Sequence, residues 1–226
     1  MEDKIILELD IPSECARKLV SGEADLGLVP VAVIPKVKDA QILSRFCIGA
    51  DGPVRSVTLL SEVPLHEIRS VYLDYQSRTS VALTKILASR FWDISPVWEE
   101  GQEGFETNIR GTSAGVVIGD RSLQMRDSFP FVYDLSEEWK KMTGLPFVFA
   151  CWVSNKPLAD EFVRSFNDAL QNGIDSIETV INELPQEKRK GIDAVQYLKK
   201  DISYELDESK RKAVELFLGY LAEMPG

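Results

Sequence analysis

The sequence predicts an α/β protein with mostly buried strands, and two observations carry this prediction. Apolar runs of strand length alternate along the chain with segments whose apolar residues recur at helical spacing, which is the order of elements in α/β folds. Hydrophobic residues make up 44% of the 226 residues, so the chain can bury a substantial core. We find no internal repeat, low-complexity tract or flexible linker, and therefore do not expect separate tandem domains.

The N-terminal part of the chain predicts one helix followed by one strand. Residues 13–22 begin with Ser13, a residue type that caps helices, and end with Gly22, which suits a C-terminal cap. The mostly apolar run at residues 24–31 follows at once. Its composition predicts a parallel strand that is buried on both faces.

Helix and strand signals continue to alternate further along the chain. Strands are predicted at residues 41–49, 54–60, 69–74, 113–118 and 147–153, and a long helix at residues 77–91. The remainder of the chain is predicted to be almost wholly helical, because apolar residues such as Ala213 and Phe217 recur there at helical spacing.

This order of elements favours two lobes with a chain that crosses between them twice. We predict that residues 1–62 and 151–226 form the first lobe, and that residues 63–150 form the second. A ligand cleft is then expected between the lobes, with the two crossovers as its hinge.

Charge and composition exclude several classes of protein. The 36 acidic residues outnumber the 26 basic ones, which gives a formal net charge of −10, so we expect neither nucleic acid nor an acidic membrane as a partner. No apolar run reaches membrane-spanning length and the N-terminus lacks a secretory signal pattern, so a cytoplasmic protein is expected. The three cysteines are far apart among apolar neighbours and predict buried thiols.

The strongest candidate site is the Ser-Arg-Thr-Ser turn at residues 77–80, between a predicted strand and a predicted helix. First-turn N–H groups and the helix dipole favour a carboxylate there. The hydroxyls of Ser77, Thr79 and Ser80, together with Arg78, can complete its hydrogen bonds. The alternative is that Ser77 or Thr79 simply caps the helix, and both interpretations stay open on the residues alone.

Two weaker candidates lie near other strand ends. Arg55 and Ser56 are expected on opposite faces of the strand at residues 54–60, so that one of them could face the cleft. For an ordinary strand, an exposed arginine and a buried, hydrogen-bonded serine is the better interpretation. Asp120 follows the strand at residues 113–118, and open α/β sheets bind ligands at the carboxyl ends of their strands.

Metal, triad and nucleotide chemistry have little support in the sequence. His66 is the only histidine and lies in a predicted surface connection, where solvent exposure is its expected state. Without a second histidine or a close cysteine group, neither a metal site nor a Ser–His–carboxylate triad is predicted. The glycine spacing matches no phosphate loop or dinucleotide motif, so no nucleotide-binding site is predicted.

Five segments of the sequence form a recognisable series: GEADLGLVP at 22–30, ADGPVRSV at 50–57, LDYQSRTS at 73–80, GD at 119–120 and TGLPFVFA at 143–150. Taken in this order, they resemble the chorismate dehydratase family of the futalosine route to menaquinone. The resemblance runs from about residue 10 to the C-terminus, and the combination is more specific than any single motif. It implies the two-lobed fold of type II periplasmic solute-binding proteins, in a cytosolic enzyme that needs no metal or organic cofactor.

The resemblance also implies a substrate and a set of contacts. Chorismate would lose water to give 3-[(1-carboxyvinyl)oxy]benzoate, with Ser56 contacting the reacting substrate. Gly52 and Asp120 would belong to the binding surface, and the turn at residues 77–80 would hold a carboxylate. Family members usually begin with a strand and a Tyr-Leu-Asn-x-x-Pro loop, whose asparagine faces the substrate, and we expect the first lobe to lack them because this sequence begins after that point.

Two other functions stay open. A non-catalytic protein that binds small carboxylates would keep the cleft and lack the chemistry. The sister enzyme of the same pathway, 1,4-dihydroxy-6-naphthoate synthase, shares the fold and uses a histidine, for which His66 lies in the wrong context.

Overall fold

A computed structural model describes residues 5–183 and 193–224, which form two β-sheets with helices packed around them. The helices are α1 (Pro12–Ser21), α2 (Arg78–Leu87), α3 (Gly119–Met125), α4 (Leu135–Thr143), α5 (Asp160–Asp175), α6 (Ile177–Glu183), α7 (Ala194–Gln196) and α8 (Glu208–Ala222). The strands are β1 (Leu26–Pro30), β2 (Gln41–Ala50), β3 (Val57–Ser61), β4 (Ser70–Leu73), β5 (Val97–Glu100), β6 (Ser113–Ile118), β7 (Phe131–Asp134), β8 (Phe147–Ser154) and β9 (Ser203–Glu205). Within the described residues, no helix combines the length and the apolar character needed to cross a bilayer.

The first sheet has the strand order β1-β8-β2-β9, and all of its pairings are antiparallel. Pro30 lies opposite Ala150, and Ala50 lies opposite Phe147, so β1 and β2 both end at the edge where β8 begins. The prediction of a parallel strand at residues 24–31 is therefore wrong in its direction of pairing. An apolar run indicates that a strand is buried but does not indicate the direction of its neighbour. The neighbour of β1 is β8, which comes from a distant part of the chain.

The second sheet has the order β5-β4-β6-β3-β7. Strand β4 runs parallel to β5 and β6, whereas β3 runs antiparallel to β6 and β7. Val57, the first residue of β3, lies opposite Ile118, the last residue of β6. The carboxyl ends of β4 and β6 and the amino end of β3 consequently meet at one edge of this sheet.

The chain passes from the first sheet to the second between β2 and β3, and returns after α4 at the start of β8. Strand β3 pairs in the second sheet although we placed residues 1–62 in the first lobe, and β8 begins at Phe147 although we placed residues 63–150 in the second. The first crossover therefore lies before Val57 and the second before Phe147, each a few residues earlier than the predicted boundary. Short apolar strands look alike in sequence, and their choice of sheet depends on tertiary pairing.

In helix α1, the predicted C-terminal signal is correct and the predicted N-terminal signal is not. Gly22 adopts a left-handed conformation with φ of 80° and ends the helix, as predicted, because only glycine adopts that conformation without a steric penalty. The prediction that Ser13 caps the start is wrong, since the helix begins at Pro12 and Ile11 occupies the capping position. Proline is favoured in the first helical turn, where its missing N–H costs no hydrogen bond.

A continuous core joins the helices to the first sheet. The fully buried ring of Trp139 on α4 packs edge-on against Phe147, Phe217 and Tyr220, and its indole N–H donates to the Pro146 carbonyl at 3.0 Å. Aromatic groups in this arrangement gain about 0.5–1.5 kcal/mol per pair beyond their burial. Trp139 thus ties α4 to the start of β8 and to α8, close to the second crossover.

The cysteines are free thiols, as predicted, but the expectation that all three are buried is wrong for Cys15, which is partly exposed. Cys47 and Cys151 are buried, and burial raises the pKa of each to about 12. Thiols with such a high pKa stay protonated at neutral pH and are poor nucleophiles.

Candidate active site

The sequence-predicted site residues converge on one edge of the second sheet. Ser56 immediately precedes β3, the turn at residues 77–80 follows β4, and Asp120 follows β6. Because β3 runs opposite to β4 and β6, all three positions lie at the same edge. The carboxyl ends of parallel strands are the usual ligand-binding edge of an open α/β sheet.

Ser77 is the N-cap of α2. Its Oγ accepts a hydrogen bond from the Ser80 N–H at 3.1 Å and donates one to the Ser80 Oγ at 2.7 Å. The capping interpretation is therefore correct for Ser77, and it occupies one of the first-turn N–H groups. Carboxylate binding by the remainder of the turn stays a prediction.

Thr79 connects this turn to the first sheet. Its Oγ1 accepts a hydrogen bond at 3.2 Å from the Ala32 N–H, in the 3-10 turn Val31–Lys36 that directly follows β1. Thr79 and Ser80 are each only 2% exposed. The edge that carries the predicted site is thus covered at this point by the end of β1.

The loop before α2 is held by a buried ion pair. Asp74 is fully buried, and its carboxylate accepts hydrogen bonds from the Gln76 N–H at 2.8 Å and from Arg121 Nη2 at 2.6 Å. Arg121 also pairs with Glu106, and its guanidinium lies 5.2 Å from the Tyr75 ring centre. Burial raises the pKa of Asp74, against the opposing effects of the Gln76 N–H and Arg121.

Ser56 is 3% exposed and makes two contacts that fix its position. Its carbonyl accepts a hydrogen bond from the Gly119 N–H at 2.7 Å, and its Oγ lies 2.8 Å from the Tyr197 hydroxyl. Burial raises the pKa of Tyr197 against the opposing effect of its hydrogen bond with Ser56, and Asp120 and Asp201 add smaller increases. The sequence reasoning missed Tyr197, since a tyrosine in a helical pattern carries no signal that it contacts a residue far away in the chain.

Arg55 lies in a left-handed conformation with φ of 66°, so the predicted strand cannot extend back through it. The expectation that Arg55 and Ser56 occupy opposite faces of a strand is therefore wrong. The buried Asp134 carboxylate accepts hydrogen bonds from the N–H groups of Val54 at 3.2 Å and Arg55 at 2.6 Å. This contact holds the first crossover in its unusual conformation, a conformation that costs about 1–3 kcal/mol and needs such support.

The remaining predicted residues differ in exposure. Gly52 follows β2 and is buried, with φ of 120°, a conformation that favours glycine, while Arg78 and Asp120 are exposed. The His66 side chain is 79% exposed and its imidazole lies 3.6 Å from the Glu67 carboxylate. The expectation that His66 is solvent-exposed is confirmed.

Solved structures with related folds define the class of protein. A protein from Archaeoglobus fulgidus is 18% identical with a TM-score of 0.65, and the match covers 96% of this chain and 84% of that one. The ligand-binding component of an ABC-type import system from Staphylococcus aureus is 11% identical with a TM-score of 0.55, over 96% of this chain and 79% of that one. The two-sheet α/β architecture is therefore the two-lobed, periplasmic-binding-protein-like fold, as predicted.

The sequence comparisons identify the family within this class. Residues 2–223 match the family model described as menaquinone biosynthesis, so the chain belongs to that family. A chorismate dehydratase from Thermus thermophilus is 28% identical in an alignment that covers 92% of this chain and 83% of the relative. The resemblance drawn from the five sequence segments is confirmed by these matches.

Proposed function

We propose that this protein is a chorismate dehydratase, a hydro-lyase that converts chorismate to 3-[(1-carboxyvinyl)oxy]benzoate in menaquinone biosynthesis. The family match and the Thermus thermophilus relative support the assignment. The observation that carries it structurally is the convergence of Ser56, the turn at residues 77–80 and Asp120 at one edge of the second sheet. We also propose that the enzyme acts in the cytoplasm, as the resemblance implies.

The reaction removes a hydroxyl and a hydrogen from adjacent ring carbons. One C–O bond and one C–H bond break, the electron pair of the C–H bond completes the aromatic ring, and the hydroxyl leaves with the proton as water. Much of the driving force lies in aromatisation, so the protein chiefly has to position the substrate and stabilise developing charge. The substrate's own enolpyruvyl carboxylate can serve as the base, which is compatible with a histidine that is far from the site and exposed.

The turn at residues 77–80 is the proposed binding point for a substrate carboxylate. It stands at the N-terminus of α2, where backbone N–H groups point out of the helix and the dipole favours negative charge. Thr79 supplies a hydroxyl that in this conformation accepts from Ala32. Because Thr79, Ser80 and Ser56 are all nearly inaccessible, substrate entry requires the Val31–Lys36 turn to separate from α2.

Ser56 is the proposed contact to the reacting part of the substrate. Its backbone is fixed to Gly119 at the end of β6, directly beside Asp120. A hydroxyl in this position can hydrogen-bond to the leaving hydroxyl group or to the developing charge beside it. Gly52 and Asp120 are the proposed flanking residues of the same surface.

The test is incubation of the purified protein with chorismate, followed by chromatography against authentic 3-[(1-carboxyvinyl)oxy]benzoate. We expect this product to form, and we expect His66→Ala to form it at the wild-type rate because His66 lies in solvent. Binding of chorismate without product would identify a non-catalytic binding protein. Activity on cyclic dehypoxanthine futalosine that is abolished in His66→Ala would identify the sister enzyme.

A further inference from the structure

The turn Tyr197–Asp201 makes two side-chain contacts with consecutive residues of the first crossover. The Tyr197 hydroxyl lies 2.8 Å from the Ser56 Oγ, and Arg55 Nη1 lies 3.3 Å from Asp201 Oδ2. The turn leads directly into β9, which pairs with β2 of the first sheet. Tyr197 therefore reaches the proposed active-site serine from the side of the first sheet.

The chemistry of the Tyr197–Ser56 contact suits the orientation of a hydroxyl. A serine hydroxyl rotates about its C–O bond and points its proton wherever an acceptor lies. A neutral tyrosine donates one hydrogen bond, so donation to the Ser56 Oγ would leave the Ser56 proton available to another acceptor. Burial raises the pKa of Tyr197, which keeps its hydroxyl protonated at neutral pH.

We propose that Tyr197 is a positioning residue that orients the Ser56 hydroxyl toward the reacting part of the substrate. This inference rests on the proposed function, because it takes Ser56 to be the residue that contacts chorismate. Tyr197 acts only through Ser56, and its contribution disappears when the serine hydroxyl is absent. The Arg55–Asp201 contact is made at the other end of the same turn and does not involve the Ser56 hydroxyl.

A double-mutant cycle with Tyr197→Phe and Ser56→Ala tests this role. We expect Tyr197→Phe to lower kcat for chorismate dehydration about tenfold, the loss of one useful hydrogen bond, with less than a twofold change in KM. In the Ser56→Ala background the same substitution should cost less than about twofold. Effects of the two substitutions that simply multiply would overturn the proposal.

Two control variants separate orientation from general stability. Tyr133→Phe also removes one tyrosine hydroxyl with a hydrogen-bond partner, the Leu65 N–H at 3.2 Å in the connection between β3 and β4. Asp201→Asn weakens the neighbouring contact of the same turn without touching Ser56. Both should keep kcat within about twofold of wild type, and an equal loss in either one would also overturn the proposal.

The affinity for chorismate, measured by calorimetry on the same four proteins of the cycle, distinguishes this inference from the proposed function. A wild-type protein that binds chorismate without converting it would refute the dehydratase assignment and, with it, the positioning role. A wild type that converts chorismate, with effects of the two substitutions on kcat that multiply, would refute the positioning role alone. A wild-type protein that neither binds nor converts chorismate would refute both.

Discussion

The buried Asp74 carboxylate accepts a hydrogen bond from Arg121 at 2.6 Å and so ties the loop before α2 to α3. These two elements carry the proposed carboxylate-binding turn and Asp120, respectively. Burial disfavours the charge on Asp74, and Arg121 offsets part of that cost. The geometry of the proposed site therefore depends on an ion pair that lies beneath it.

Removal of Arg121 should leave an uncompensated buried carboxylate. We expect Arg121→Ala to lower the free energy of unfolding by about 3 kcal/mol at pH 7, the low end of the range for buried pairs, since the arginine is partly exposed. Denaturant unfolding of variant and wild type measures this loss. Arg90→Ala is the matched control, because the Arg90–Glu223 pair is exposed and should contribute less than about 1 kcal/mol.

The same variant should show a characteristic pH dependence. Burial raises the pKa of Asp74 in the folded state. The contribution of Asp74 to the free energy of unfolding is therefore fully present when its carboxyl is protonated, and it is lost as the pH rises through the folded-state pKa. Without Arg121 that pKa rises further, so the loss becomes larger. The difference between wild type and Arg121→Ala should widen from pH 4 to pH 7, and parallel stability curves would contradict this account.

Asp134 is predicted to be the main fixed point of the first crossover. Its carboxylate accepts hydrogen bonds from the N–H groups of Val54 and Arg55, and also from Ser136 and Glu137 at the start of α4. Asp134→Ala should cost about 3 kcal/mol, because it removes a helix cap and leaves buried N–H groups without a partner.

The control for Asp134 is another aspartate cap. Within the described part of the chain, Asp207 accepts hydrogen bonds from the N-terminal turn of α8, at the Lys210 N–H and the Ser209 hydroxyl, so Asp207→Ala should cost about 1 kcal/mol. Thermal and denaturant unfolding of both variants provides the comparison. Equal losses would mean that Asp134 is no more than a helix cap.

The carboxylate-binding role of the turn at residues 77–80 can be tested with two threonines of the same helix. Thr79→Val removes the hydroxyl at the proposed site and should weaken chorismate binding about tenfold, equal to about 1.4 kcal/mol. Thr84→Val removes a fully buried hydroxyl that donates to the Ser80 carbonyl within α2, and it should leave the affinity unchanged. Calorimetric titration that finds the same affinity in both variants would show that the turn is only a helix start.

Much of the fold could be predicted because its strands carry strong local signals. Strand β6 matches the predicted residues 113–118, and Gly22 ends α1 as expected. Strands β5, β7 and β9 were missed because they contain three or four residues, several of them polar. Such short strands form only where a neighbouring strand offers its hydrogen-bonding groups, which no local pattern records.

The candidate site was predictable only in part. Ser56, Asp120 and the turn at residues 77–80 follow or precede apolar runs, and strand topology then places them at one edge. Tyr197 is different, because its role depends on a contact to Ser56 across more than half of the chain. The left-handed conformation of Arg55 was equally unpredictable, since it is imposed by hydrogen bonds from Val54 and Arg55 to a distant aspartate.

The rate of aromatic product formation from chorismate, measured side by side for wild type and Ser56→Ala, tests the central claim most directly. Ser56 is nearly inaccessible in this conformation and is fixed between Gly119 and Tyr197, so replacement by alanine should preserve the fold while removing one hydroxyl. We expect turnover by the wild type and a loss of about a hundredfold or more in kcat for the variant, as for other residues that stabilise developing charge. No product from the wild type, or an equal rate in the folded variant, would contradict the account.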